Sequence, residues 1–232
     1  MKDIKFDKVQ GLLDSGKELL DVFDYIDTYN YDGIRMASLN DKWNYLNIKN
    51  NKLLSPNQWF NKCENFKNGF GEVKLNGKWN YIKPDGTLLS DTWFDLCFDF
   101  SEGFGVVKLN DKCNYLDAKG RILSSDQWFN CCCSFNEGFG VVYLYDKGWN
   151  YIKTNGTYLS EQWFGYCFEF NERFGRVVLD GKYNYIKPDG KFLSEQWFEK
   201  CHNFKDGYGV VELNNEAYLI DKNGKLDKHD SN

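Results

Sequence analysis

The dipeptide Trp-Phe recurs at Trp59, Trp93, Trp128, Trp163 and Trp197, at intervals of 34, 35, 35 and 34 residues. Glycine–aromatic turns keep step with it: Gly-Phe-Gly from Gly69, Gly103 and Gly138, Arg-Phe-Gly from Arg173, and Gly-Tyr-Gly from Gly207. Trp-Asn-Tyr or a close variant starts at Trp43, Trp79, Cys113, Trp149 and Tyr183. A period of this length marks a repeat architecture, in which each unit is one small motif that becomes stable by packing on its neighbours.

Within a unit the turn chemistry names the motif. Asn76-Gly77 stands between the strand-like runs ending at Leu75 and starting at Lys78. Asn-Gly in that setting is the signature of a two-residue type I′ hairpin. Tyr145-Asp146-Lys147-Gly148 is one residue longer and predicts a bulged three-residue loop. The register that follows pairs Leu75 with Lys78, Lys74 with Trp79, Val73 with Asn80 and Glu72 with Tyr81. One face then carries Val73, Leu75 and Ile82. The other carries the Trp-Tyr pair beside residues that differ from copy to copy: Glu72/Lys74, Val106/Lys108, Val141/Tyr143, Arg176/Val178 and Val210/Glu212. The segment holding Trp-Phe and the following Cys reads as a third strand or a short helical turn. The expected fold is all-β, a tandem β-hairpin array of about six units with a 34–36-residue period. A five-bladed β-propeller is the alternative, and it needs the first and last units to meet.

The ends carry weaker copies. Lys8 to Phe23 aligns with Lys78 to Trp93, so residues 1–42 read as a degenerate N-terminal cap. Full repeats run over 43–212, a weakened hairpin over 213–226, and a polar tail over 227–232. Residues 1–226 are therefore expected to form a single array.

Composition agrees and excludes several functions. Aromatics make up 18% of the chain against three alanines, which favours strands over helices. The formal charge is −5 and only four residues are Arg, so no basic patch tracks a phosphate backbone and nucleic acid is not an expected partner. No secretory or membrane-spanning stretch opens the sequence. The expected location is the cytoplasm, with the cysteines reduced and no membrane partner.

The units Gly77 to Ser90 (GKWNYIKPDGTLLS) and Phe100 to Lys112 (FSEGFGVVKLNDK) resemble the WG, or KWG, repeat family, and the likeness covers nearly the whole chain. This sequence writes Asn where the family usually has its second-position Gly, at Asn44, Asn80, Asn114, Asn150 and Asn184. The resemblance implies tandem β-hairpin units of a kind common in bacteria and phages, with no general catalytic activity and no set of functional residues to carry over. Choline- and glucan-binding repeats are similar more remotely, with much shorter units.

Cys131, Cys132 and Cys133 form an unbroken run. The middle one is a repeat position, shared with Cys63, Cys97, Cys167 and Cys201, where a compact apolar residue suits a core. Cys131 and Cys133 point to the opposite side of an extended segment, so the three do not share one metal. Packing is the favoured reading, with no metal and no cofactor expected.

Other candidates reduce to structure or to binding. Asp85 and Asp189 occupy turn positions that favour Asp for local hydrogen bonds, rather than a catalytic carboxylate pair. The two histidines, His202 and His229, lie in no nucleophile motif. Trp43, Trp79, Trp149 and Tyr183 could form a stacking platform for a glycan, although packing between units is the simpler use of large repeated aromatics. Tyr143, Tyr145, Arg173 and Arg176 break the repeat in adjacent units and are the residue types that anchor interfaces, which makes them the partner-binding candidates. The expected function is a non-enzymatic scaffold that binds another protein. The alternative is a glycan-binding module, with an unrecognised hydrolase a remote third.

Overall fold

The computed structural model describes residues 2–228. Six small antiparallel sheets follow one another along the chain, each built from one repeat. The first contains strands Tyr25–Ile26, Ile34–Leu39, Lys42–Asn47 and Lys52–Leu53; the second Lys62–Cys63, Gly71–Leu75 and Lys78–Ile82. The third contains Leu96–Ser101, Phe104–Leu109 and Lys112–Asp117; the fourth Cys131–Cys132, Phe139–Leu144 and Gly148–Lys153. The fifth contains Tyr166–Cys167, Gly175–Leu179 and Lys182–Ile186. The sixth contains Lys200–Cys201, Tyr208–Leu213, Glu216–Asp221 and Leu226–Lys228. This is the tandem hairpin array. By internal packing the chain divides into two compact units, residues 1–111 with 116–122 and residues 112–115 with 123–232.

The segment after each Trp-Phe is an edge strand beside the hairpin, two residues long except in the third sheet, where it is Leu96–Ser101. The central hairpins keep the expected register: Leu75 faces Lys78, Lys74 faces Trp79, Val73 faces Asn80 and Glu72 faces Tyr81. Asn76 and Gly77 both take positive φ, 50° and 85°, as a type I′ turn requires. In the fourth sheet Leu144 pairs with Gly148 across a three-residue loop.

Two terminal expectations change. Within the N-terminal cap, Lys8 to Phe23 does not reproduce the strands of Lys78 to Trp93, with which it aligns: Val9–Asp14 and Leu19–Val22 are helical. Val9 and Leu13 are four apart, which puts both on one helix face, and both are buried against Trp59, Leu46 and Leu53. Phe6 completes the cover, with its ring 4.8 Å from that of Trp59. At the other end, strand Leu226–Lys228 pairs with Glu216–Asp221, so the last sheet runs into the stretch read as tail. His229 lies outside the described residues.

The core sits between consecutive sheets rather than inside any one of them. In the first unit Ile34 and Tyr45 meet Phe60, Cys63, Phe66, Val73 and Ile82. In the second, Tyr185 meets Leu193, Phe198, Cys201, Phe204 and Val211. Tyr45 shows how one sheet grips the next. Its hydroxyl donates to the carbonyl of Glu64 at 2.5 Å and of Glu72 at 3.0 Å, both on the following sheet. Tyr81 does the same to Phe98 and Val106, and Tyr151 to Phe168 and Arg176. Beside each contact, the Phe of one Gly-Phe-Gly turn stacks on a Phe of the next repeat: Phe70 on Phe100 and Phe139 on Phe170 at 4.1 Å, Phe174 on Phe204 at 4.0 Å. Turn carboxylates add a polar clasp. Glu137 accepts from the backbone N–H of Glu172 and Arg173, and Glu172 accepts from Asp206 and Gly207. A buried aromatic of this size contributes roughly 1.5–3 kcal/mol, so a few such contacts per junction hold neighbouring sheets together.

Candidate functional site

The Trp-Tyr pairs divide between core and surface. All five tyrosines (Tyr45, Tyr81, Tyr115, Tyr151 and Tyr185) are buried, because each reaches across into the next sheet. Trp43, Trp79, Trp149 and Tyr183 stay half-exposed at the hairpin ends. Three of them already have side-chain neighbours at their rings. Lys62 and Lys74 lie over Trp79, Tyr25 meets Trp43 edge-on, and Trp149 sits between Tyr143 and Tyr166 at 4.8 and 4.9 Å. These four rings are on separate sheets and form no shared row among the contacts seen.

The partner-binding candidates resolve into one cluster and one outlier. Tyr145 is 80% exposed and meets Tyr143 edge-on at 5.6 Å. Tyr143 packs on Trp149, Trp149 on Tyr166, and Tyr166 on Phe168 at 4.7 Å. The guanidinium carbon of Arg176 then lies 3.9 Å from the centre of the Phe168 ring. Five rings and an arginine thus form a continuous, partly exposed ladder across the fourth and fifth sheets, wholly inside the second compact unit. Tyr166 and Phe168 are the members that sequence reasoning missed. Arg173 stands apart, lining a separate cleft with Phe174, Lys187, Pro188 and Asp189.

Two clefts lie where the edge strand of one sheet meets the preceding sheet, one lined by Glu72 and the other by Val141 and Arg176, and all three stand at the variable position opposite a buried Tyr. In the fifth sheet that position is Arg176, opposite Tyr185; in the second it is Glu72, opposite Tyr81. The third, fourth and sixth sheets place valine there: Val106, Val141 and Val210. Glu72 shares its cleft with Glu64, Lys67, Trp79 and Asp99. Burial, then the nearby charges of Asp99 and Glu64, push its carboxyl up to about 8, so it holds a proton at neutral pH. Lys67 pairs with Asp99 at 2.7 Å and Lys62 with Glu64 at 2.5 Å.

The remaining candidates are accounted for locally. Asp85 accepts from the backbone and hydroxyl of Thr87, which lowers its carboxyl from the usual range, and Asp189 accepts from Lys191 N–H. Cys63, Cys97, Cys167 and Cys201 are buried, and burial raises their thiols. Cys132 is less enclosed than these four counterparts, beside the buried Cys113, and its thiol is raised too. Cys133 is pushed up to about 11 by burial and the neighbouring Cys131. Among the described residues no three His, Cys, Asp or Glu side chains converge to hold a metal ion. Cys201 is buried while His202, the next residue, is exposed, so the two do not form a pair. Among the described residues no helix is long and apolar enough to cross a membrane.

Asn44, Asn80, Asn114, Asn150 and Asn184 are all fully buried. Asn80 donates from Nδ2 to the carbonyls of Ser90 and Thr92, at 2.7 and 3.2 Å, and its Oδ1 accepts from Tyr81 N–H. The other four repeat this pattern, closing the loop that leads into the next Trp-Phe.

Among solved structures the chain is similar to the computationally designed Ika8 protein, at 14% identity, covering 88% of this chain and 74% of that one with a TM-score of 0.38. It is also similar to Kluyveromyces lactis Hsv2 (11% identity, 82% and 71% covered, TM-score 0.40) and to BamB from Moraxella catarrhalis (10%, 84% and 72%, 0.34). No curated protein matches the sequence. Residues 45–79 and 81–113 match the WG containing repeat. The fourth and fifth sheets carry the same buried Asn and Tyr as the matched stretch, and the chain contains two WG repeats, over residues 45–79 and 81–113.

Proposed function

We propose that this protein is a non-catalytic scaffold that binds another protein through the ladder Tyr145–Tyr143–Trp149–Tyr166–Phe168–Arg176. The observation that carries this reading is the ladder itself. It interrupts the repeat, leaves Tyr145 at 80% and Tyr166 at 42% exposure, and ends on an immobilised arginine. Exposed tyrosines and an arginine, partly buried on their inner sides, are the composition of interface anchors. The residues that first attract attention as catalytic candidates (Asp85, Asp189 and the cysteines) each have a local structural use, which supports a binding rather than a chemical role. A glycan platform has less support, since Trp149 is already in ring contact with both Tyr143 and Tyr166.

The test is affinity recovery from the native source with the intact chain and a Tyr145→Ala/Tyr166→Ala variant. A specific protein recovered by the first and reduced about tenfold or more with the second, at unchanged melting temperature, is the expected result. Equal recovery by both removes the ladder from the interface. A glycan array in parallel, with Trp79→Ala as the control, tests the alternative.

A further inference from the structure

Cys131 and Cys133 sit two residues apart along the edge of the fourth sheet. Cys131 faces Tyr143 in register, and Cys133 N–H donates to the Val141 carbonyl at 2.9 Å, so the ladder runs past both residues. Residues two apart in an extended segment project from the same side, with their side chains nearly parallel. Here the two thiols are close enough to hydrogen-bond to each other. Both residues are partly exposed, and Cys133 lines a cleft of about 340 Å³. Cys132 projects from the other side, where its thiol is hydrogen-bonded to that of the buried Cys113. Two thiol pairs therefore stand back to back, and the Cys131–Cys133 pair is the one that solvent reaches.

This pair is specific to one copy. The Cys131 position reads Lys62, Leu96, Tyr166 and Lys200 in the other sheets, and the Cys133 position reads Glu64, Phe98, Phe168 and His202. Packing of the repeat thus asks for cysteine at neither place. The cover differs as well. In the fifth sheet Tyr166 packs on Trp149 of the preceding sheet at 4.9 Å. The residue that matches Trp149 ahead of Cys131 is Cys113, so no indole is supplied to that edge.

We infer that Cys131 and Cys133 form a binding site for a soft monovalent metal ion, Cu(I), held between their two sulfurs. Binding replaces two S–H bonds by two S–Cu bonds and releases two protons to water, with no change in oxidation state. Thiolate sulfur selects soft ions of this kind. Cu(I) is satisfied by two sulfurs on opposite sides of it, and parallel side chains on one strand offer that arrangement. Zn(II) takes four ligands, and among the described residues no three His, Cys, Asp or Glu side chains converge. A disulfide fits less well: residues two apart on a strand are separated by ~6.7 Å, at the outer limit of what an S–S bridge spans. The site adjoins Tyr143 but does not depend on the protein-binding reading.

The probe is Cu(I) itself, delivered without oxygen to the reduced whole chain from a chromogenic bidentate chelator, with Zn(II) as the comparison arm. The expected result is transfer of one ion per chain, two sulfur neighbours by X-ray absorption, and no competing uptake of Zn(II). Transfer should be lost in Cys131→Ser and in Cys133→Ser and kept in Cys132→Ala, with melting temperatures recorded for each. Cys131→Met retains a soft donor and should restore part of the transfer that the serine variant loses, which separates ligation from a loosened strand. No transfer to the parent chain overturns the inference, as does a third sulfur neighbour. Loss in Cys132→Ala with retention in Cys133→Ser also overturns it, by moving the ion to the inward pair.

Discussion

The hydroxyl of Tyr81 occupies the space that a side chain on Gly105 would need: a Cβ at that glycine would lie 2.6 Å from the Tyr81 oxygen. Gly71, Gly140, Gly175 and Gly209 stand in the same relation to Tyr45, Tyr115, Tyr151 and Tyr185. The second glycine of the Gly-Phe-Gly turn is therefore a docking point for the tyrosine of the preceding repeat.

Gly105→Ala should destabilise the chain by about 2–4 kcal/mol, because the Cβ meets both Tyr81 and the Phe100 ring in a closed junction. Denaturant unfolding measures it. Adding Tyr81→Phe should recover part of the loss by freeing the space of the hydroxyl, and the double mutant should be less unstable than the sum of the singles. Strict additivity would show that the two residues do not share this contact.

Arg173 takes φ of 72° where Gly103 and Gly207 take 85° and 84°. A left-handed conformation costs a side-chain-bearing residue about 1 kcal/mol, while glycine loses more entropy on folding. Arg173→Gly should therefore raise stability by a net ~0.5 kcal/mol, read as a small rise in melting temperature. Arg173 is also outside the ladder, so partner recovery should not change.

Hairpins and their register are legible in this sequence because Asn76-Gly77 fixes the turn and a period of two fixes the faces. The Tyr81–Gly105 contact is not. Both residues recur in every copy, but nothing in one strand says which residue of the next repeat its side chain reaches. Tyr166 and Phe168 escape notice because the edge strand Tyr166–Cys167 is too short for alternation to show. A signal for them does exist: that edge position reads Lys62, Leu96, Cys131, Tyr166 and Lys200, the same freedom between copies that picks out Arg176. The helical start is hidden for a different reason. Val9 and Leu12 align with the apolar Trp79 and Ile82, and only the four-residue spacing of Val9 and Leu13 distinguishes a helix.

Asn80 stands where related repeats usually have Gly, and the substitution carries a defined load. Asn80→Gly removes two bonds from Nδ2 and one to Oδ1, leaves the Ser90 and Thr92 carbonyls without that donor, and adds backbone entropy to the unfolded chain. A loss of about 2–4 kcal/mol is expected by chemical denaturation. Asn80→Asp should be at least as harmful despite its shape, since a carboxylate turns an acceptor toward those two carbonyls. An Asn80→Gly variant as stable as the parent would mean the loop is held by other bonds.

Glu72 gives the stability a pH dependence of known sign. Its carboxyl holds its proton in the folded state up to about 8 but loses it near 4.5 when unfolded. Between those values the folded chain binds more protons than the unfolded chain, so this residue's contribution falls as pH rises, and it is flat above about 8. Desolvation is the main cause, with Asp99 and Glu64 adding repulsion and Lys67 opposing it. The side chain is partly exposed, and allowing for solvent screening the total effect is about 2 kcal/mol. Glu72→Gln removes the titrating group and keeps the shape. The variant should match the parent near pH 4 and exceed it by a margin that grows to pH 8 and then stays constant. Taking the difference between the two chains cancels every other carboxylate. A constant difference from pH 4 to 9 would show that Glu72 ionises with an ordinary carboxylate pKa, and its cleft would then be open to water.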